Sequence, residues 1–374
     1  MLFAPDWTRE DLAELEERAE AHLDGLRLAG RNGVDLARAA LAGGEPGAVT
    51  AATFVMLATE RGEFISEVLA ALKTGDDAVV DAVRVGLRHS PVARVAKPLR
   101  RLASSGTGRA RAAAFDVLAF HRRKVPDGLE ELLGDEDPAI RSLAWQAAGR
   151  VPGSLSTGHI DRALSDDAPG LGRVALEALA RAGVPELRER CLAAATDLRG
   201  ANAHALGFLG VLGHPADLAP LLAGLGRSGL EAVALEGLGA LGSPQSVPRL
   251  IECMEDEALA EAAAAAFERI TGFEDVRGER PAPDLEPGSF EAEFEDAEEG
   301  PVEPARARAW WQAHGPELDP ARPWQAGFDV AAGVAASAWD ALPLPVRRDL
   351  YLRGCVTGRA PGDLEIEARV VAGA

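Results

Sequence analysis

The sequence predicts an all-α fold: a right-handed superhelical α-solenoid of about eight short helix–turn–helix repeats with helical caps. Three observations predict it. The chain is 47% hydrophobic but only 5% aromatic, and the apolar share is mostly Ala, Leu and Val, which suits closely spaced helices better than a β-sandwich. One apolar template returns at starts spaced 29–31 residues apart. Each copy ends in a breaker, often Gly or Ser with Pro at or soon after it; Gly takes the left-handed position past a helix end and Pro suits the first turn of the next.

The elements follow in chain order. Residues 1–44 are expected to form an N-terminal cap helix and the lead-in to the repeats. Thr8 with Asp11 makes a capping pair, and Leu12, Leu15, Ala19, Leu23 and Leu26 make the apolar stripe. Residues 45–272 hold the array. Ile140 starts the clearest copy, with Leu143, Ala144, Ala147, Ala148 and Val151 at +3, +4, +7, +8 and +11, one face of a 3.6-residue helix. Leu171, Leu230 and Leu259 start further clear copies, and Val49, Val79, Ala110 and Ala201 start weaker ones. Second amphipathic segments such as "FISEVLAALK" and "PELRERCLAAA" lie between. One such helix pair cannot bury its apolar face alone; stacked neighbours bury it.

Residues 273–304 change texture, with twelve acidic residues, two basic residues and five prolines. Such a stretch reads as an acidic linker or loop. Residues 305–374 restart helix at "PARARAWWQAHG" and read as a C-terminal helical cap.

Composition excludes several classes. No run of about 18 apolar residues exists, which argues against a membrane span, and "MLFAPDWTRED" lacks the basic and apolar regions of a signal peptide. Cys191, Cys253 and Cys355 stand far apart, so neither a disulfide framework nor a zinc site is expected, and reduced structural thiols in a cytoplasm are. The net charge of −20 argues against nucleic acid and anionic membrane as partners unless a local patch overrides it.

The pattern D-x-x-P-x-[IV]-R-x-x-A-x-x-[AL]-[LA]-G, clearest in "DEDPAIRSLAWQAAG" (135–149), resembles the short HEAT repeats of bacterial proteins, the class that includes bilin-lyase-type repeats. It covers roughly 45–272. The whole chain, including "FERITG", the acidic insert and Trp310–Trp311, also resembles an uncharacterised family of bacterial HEAT-repeat proteins often encoded beside type VI secretion genes. That resemblance implies a partner in such a system.

Three constellations bear on function. Residues 84–124 hold eleven Lys or Arg and one acidic residue, Asp116, a net +10, against −10 over 273–304. Within the block, Arg94, Lys97, Arg100 and Arg101 are expected on one helix and Arg122, Arg123 and Lys124 in a turn. Three readings stay open: both stretches are solvated faces, the acidic segment covers the basic block, or the block binds an anionic partner. Position +5 of the repeats reads Arg84, Phe115, Trp145, Leu176, Leu206, Leu235 and Ala264. It lies on the flank of the stripe, either packing against the next repeat or forming an apolar strip for a partner. Position +9 reads Arg88, Ala119, Gly149, Ala180, Gly210, Gly239 and Glu268; its small residues reflect an Ala/Gly-rich habit or admit a partner backbone.

Catalytic templates fail. The seven His are scattered, with no HExxH or His-Glu pair, no GxSxG, no CxxC and no phosphate-loop Lys-Ser/Thr. His121 and His204 take core slots, and Arg141, four residues after Asp137, reads as a structural pair. No catalytic, cofactor or metal residue is expected. The sequence therefore predicts a non-catalytic protein-binding scaffold, adaptor or immunity-type protein. The alternative is an enzyme of the HEAT-fold lyase or DNA-glycosylase kind.

Overall fold

In the computed structural model the described residues are 7–59, 61–196, 203–278, 300–331, 333–334 and 336–359. They are mostly helical, and the only strands among them form one short hairpin. The chain divides into two compact units, Thr8–Leu187 with the segment from Leu352, and Arg188–Tyr351. The division falls inside the periodic stretch, not at either of its ends.

The first unit runs through α1 (Arg9–Leu28), α2 (Arg31–Gly43), α3 (Pro46–Ala58), α4 (Gly62–Thr74), α5 (Asp77–Arg88), α6 (Ala96–Ser105), α7 (Gly108–Phe120), α8 (Leu129–Leu133), α9 (Pro138–Ala148), α10 (Ile160–Ser165) and α11 (Leu171–Arg181). The sequence supplies caps where these helices begin. The Thr8 N–H donates to Asp11 Oδ2 at 2.8 Å ahead of α1. Glu45 accepts from the Gly47 and Ala48 N–H groups ahead of α3, with Pro46 in the first turn. Asp76 accepts from Val79 N–H ahead of α5, and Asp137 from Ala139 N–H ahead of α9. Each satisfies donors a helix start leaves without partners.

The template helices α3, α5, α7, α9 and α11 pack each against the next, while α4, α6, α8 and α10 each lie against the template helix that follows them. Contact on both flanks explains why α7 is buried without a break from Ala112 to Ala119. The first helix is different. Of its stripe only Leu12 is buried, Ala19 is exposed, and Leu28 beyond the stripe is 88% exposed. The sequence reading treats the lead-in as one helix; Gly30, at φ +56°, ends α1 and lets α2 begin.

The second unit begins within α12 (Leu187–Thr196) and continues through α13 (Ala203–Leu212), α14 (Leu218–Gly224), α15 (Glu231–Leu241), α16 (Val247–Cys253), α17 (Ala260–Thr271), α18 (Pro304–His314) and α19 (Ala336–Trp339) to the first half of α20 (Leu344–Thr357). Here α13 packs on α15 and α15 on α17, with α14 and α16 beside α15 and α17. Its core joins Leu206, Leu209, Leu235, Leu238, Phe267 and Ile270.

The small residues at +9 have a use neither sequence reading foresaw. A Cβ at Gly149 would lie 2.8 Å from Ala178 Cα, at Gly210 2.2 Å from Gly237 O, and at Gly239 3.0 Å from Ala266 Cα. Ala178, Gly237 and Ala266 are the +7 residues of the following copies. Position +9 of one template helix thus touches position +7 of the next, in both units. Small residues there let the two backbones approach closely, so the column is spent on internal packing.

The acidic stretch is closed at its base. Gly278 N–H donates to Pro301 O at 2.8 Å and Glu303 N–H to Val276 O at 2.9 Å, so residues 276–278 and 301–303 run side by side. Residues 279–299, and with them most of the proposed contact with the basic block, lie outside the described residues. A hairpin of β1 (Trp324–Gln325) and β2 (Phe328–Asp329) covers the helix ends of this unit. Trp324 N–H donates to Gly242 O, Ala326 N–H to Arg269 O, and Gln325 Nε2 to Gly239 O and Ala240 O. These bonds satisfy carbonyls that α15 and α17 leave open at their C-terminal ends.

Candidate functional site

The apolar +5 column is inside the protein. Phe115, Trp145 and Leu176 in the first unit, and Leu206 and Leu235 in the second, are all 0% exposed. A partner cannot reach them, so the strip that sequence spacing offered as a binding surface is corrected. The physical reason is the two-sided packing of each template helix: a side chain on the flank of the stripe meets the neighbouring helix. Trp145 stands edge-on to the His159 ring, and its indole N–H is buried with no hydrogen-bond partner.

Arg84 and Arg88 are likewise corrected as partner residues. They lie on α5 and converge with Arg150, beyond the end of α9, on Asp116 of α7. Arg88 holds the carboxylate in a two-point grip, Nε to Oδ2 at 2.7 Å and Nη2 to Oδ1 at 2.6 Å. Arg84 Nη1 reaches Oδ2 at 2.8 Å, and Arg150 Nη1 stands 3.9 Å from Oδ1. Arg88 also donates to Gln146 Oε1 at 3.0 Å. The guanidinium groups of Arg88 and Arg150 both lie over the Phe120 ring. Burial by itself would push the Asp116 carboxyl up; the charges of Arg88 and Arg84, with the Arg88 hydrogen bonds, outweigh it and hold the group at about 2. Asp116 was legible only as the lone acid in a basic block. The usable signal is that Arg84, Arg88 and Asp116 occupy neighbouring positions on consecutive template helices.

The basic block is therefore less basic than its residue count. Arg84 and Arg88 are committed to Asp116, Arg109 to Asp81 and Asp77, and Arg111 to Glu131. What faces solvent is narrower: Arg94, Lys97, Arg100, Arg101, Arg122, Arg123 and Lys124 are all exposed. Arg94 lies in the turn before α6, a departure from its expected place on the helix. On α6 the exposed cations Lys97, Arg100 and Arg101 alternate with buried Leu99, Leu102 and Ala103. Arg122 lies in the turn after α7, with Arg123 and Lys124 following. Arg100, Arg122, Arg123 and Lys124, with Ala93 and Ala96, line a concavity of about 400 Å³.

The Arg141 pairing is also corrected. Its guanidinium holds Asp166 through Nε and Nη2, both at 2.9 Å, and donates to the carbonyls of Asp135 and Glu136. Asp137 instead caps α9. His121 is half-buried, its Nε2 2.9 Å from Leu87 O, and burial, with help from Arg123 and Arg88, lowers its pKa against that hydrogen bond. His204 is half-buried rather than enclosed. Cys191 is buried, and burial pushes its thiol up to about 12, which suits a structural thiol.

One arrangement has the outline of a hydrolytic triad. Ser156 Oγ lies 3.1 Å from His159 Nδ1, and His159 Nε2 lies 2.9 Å from Glu130 Oε2. The backbone N–H of Ser156 also points at Nδ1, at 3.1 Å, and takes the lone pair a general base would need. Arg162 draws on the same Glu130 carboxylate at 2.9 Å. The geometry is that of a helix cap tied to the preceding repeat. Among the described residues no three of His, Cys, Asp and Glu gather as a metal ion would require.

No model of a known protein family matches the chain. A comparison with curated proteins likewise finds no match. No helix among the described residues is long and apolar enough to cross a membrane.

Proposed function

We propose that the chain is a right-handed superhelical α-solenoid of the HEAT kind and works as a non-catalytic protein-binding scaffold, adaptor or immunity-type protein in the cytoplasm. The observation that carries this reading is the repeated contact between position +9 of one template helix and position +7 of the next, at Gly149–Ala178, Gly210–Gly237 and Gly239–Ala266. A contact repeated at one step along the chain builds an array by nearest-neighbour packing, and it leaves the outward residues of successive helix pairs as an extended surface. With the +5 column buried, that surface is polar. Its most distinctive part is the outer side of α6, where Lys97 and Arg101 stand exposed, complementary to an acidic protein face.

The resemblance to HEAT proteins encoded beside type VI secretion genes makes proteins of such a system the first partners to test. The experiment is capture from a native lysate by the wild-type chain and by Lys97→Glu/Arg101→Glu. The reading expects one stoichiometric protein, released as salt rises and lost from the variant at an unchanged melting temperature. A copurifying chromophore or nucleotide, with no protein partner, contradicts it.

A further inference from the structure

We infer that the concavity lined by Arg100, Arg122, Arg123 and Lys124 binds a compact free polyphosphate, a small anion carrying two or more phosphate groups. The inference goes beyond the protein-partner reading and does not need it.

Four cations meet there with no acid among the lining residues, in a chain whose net charge is −20. The contrast with the rest of the block is sharp. Arg84, Arg88, Arg109 and Arg111 each have a carboxylate, whereas among the described residues Arg100, Arg123 and Lys124 form no ion pair. Like charges gathered in a concavity repel one another, and an anion with several charges close together relieves that repulsion. Arginine forks suit phosphate oxygens, two N–H groups to one phosphate.

Ala96, the first residue of α6, lines the same concavity. That helix has no acidic residue in its first turn, so no carboxylate at this helix end offsets the cations of the site. Arg122, on the same concavity, adopts φ +51°, a left-handed conformation unfavourable for a residue that carries a side chain. Two bonds fix it, Arg122 N–H to Ala119 O at 2.9 Å and Arg123 N–H to Leu118 O at 2.8 Å. Glycine is the ordinary residue at this position of a helix end. The chain places an arginine there, the first of three consecutive cations on the rim.

The lining also says what the ligand lacks. It holds no aromatic side chain, so nothing stacks a nucleobase, and the phosphates themselves are what the site reads. Phosphate groups also occur on lipid headgroups. Among the described residues the exposed large hydrophobic side chains are Leu28, Leu36 and Phe328, and none of them borders the concavity. Without an apolar anchor beside the site, a bilayer is disfavoured.

The test is titration of the purified full chain with inorganic tripolyphosphate by calorimetry at about 0.15 M salt. Saturable binding is expected, weakened at least tenfold by Arg123→Glu/Lys124→Glu. Lys73→Glu/Arg31→Glu, an equal charge change away from the site, is expected to leave it within twofold. Lys124→Gln, at an exposed position, provides a milder variant, expected to weaken binding about threefold at an unchanged melting temperature. Absence of saturable binding overturns the inference. So does equal weakening by the two double variants. Binding to vesicles bearing a phosphorylated headgroup, with none to tripolyphosphate, overturns the free-anion assignment.

Discussion

Arg88 on α5 grips Asp116 on α7 through both carboxylate oxygens, at 2.6 and 2.7 Å, with neither side chain more than 9% exposed. The pair joins two consecutive template helices, and Arg84 and Arg150 close around the same carboxylate. Asp116→Asn keeps the shape and removes the buried charge on which these arginines converge. The expected loss is about 3–5 kcal/mol, read as a lower urea midpoint with an unchanged slope.

The same pair sets an acid limb. The Asp116 carboxyl is held at about 2 in the folded chain and returns to about 3.9 when unfolded. A depressed carboxyl contributes stability that is fully present above the unfolded value and is lost as pH falls through the folded one. Wild-type stability should therefore drop between about pH 4 and pH 2, and the gap between wild type and Asp116→Asn should narrow over that window. A gap that stays constant down to pH 2 contradicts the assignment.

Thr53 on α3 is 0% exposed, and its hydroxyl has no hydrogen-bond partner. Its Cβ and methyl face Gly86 of α5. Thr53→Val keeps that shape and removes a buried, unsatisfied polar group, so stability should rise by about 1 kcal/mol. A thermal melt shifted downward would show that the hydroxyl is satisfied in solution.

Phe115→Glu and Trp145→Glu each place a carboxylate at a position with no solvent access. Either should cost more than about 4 kcal/mol and yield chain without a cooperative melt. Were the strip a docking surface, both variants would fold normally and fail only in binding. Circular dichroism on heating separates the two outcomes.

Gly210→Ala would bring a methyl to 2.2 Å from Gly237 O and should cost about 1–3 kcal/mol through forced separation of α13 and α15. Gly25 provides the opposite case. It lies inside α1 with nothing within 4 Å of an added Cβ, so Gly25→Ala should stabilise by up to about 1 kcal/mol.

Much of the helix layout was legible because its causes are local. The stripe from Ile140 to Val151 and the Asp137–Pro138 start of α9 are written within fifteen residues. What the neighbouring repeat decides was not legible. Arg141 sits four residues after Asp137, yet it reaches Asp166, because Asp137 is occupied as a cap and the next repeat brings a carboxylate within 2.9 Å. The +5 side chains stayed open between packing and a partner strip because one helix considered alone has a free flank; a second neighbour buries it. The hairpin at Trp324–Asp329 was missed because its strands are two residues each and Ala326, at φ +48°, takes a turn position that glycine or asparagine usually marks. Of the candidate residues, the basic turn at Arg122–Lys124 was legible as a charge run. Its meeting with Arg100 in one concavity depends on how α6 packs against α7.

The proposed solenoid rests on repeated nearest-neighbour packing. Small-angle X-ray scattering of the purified chain tests it most directly. A compact globule of this length has a radius of gyration of about 21 Å. The account predicts a clearly larger radius and a distance distribution with a long tail; a radius near about 21 Å with a symmetric distribution would contradict it.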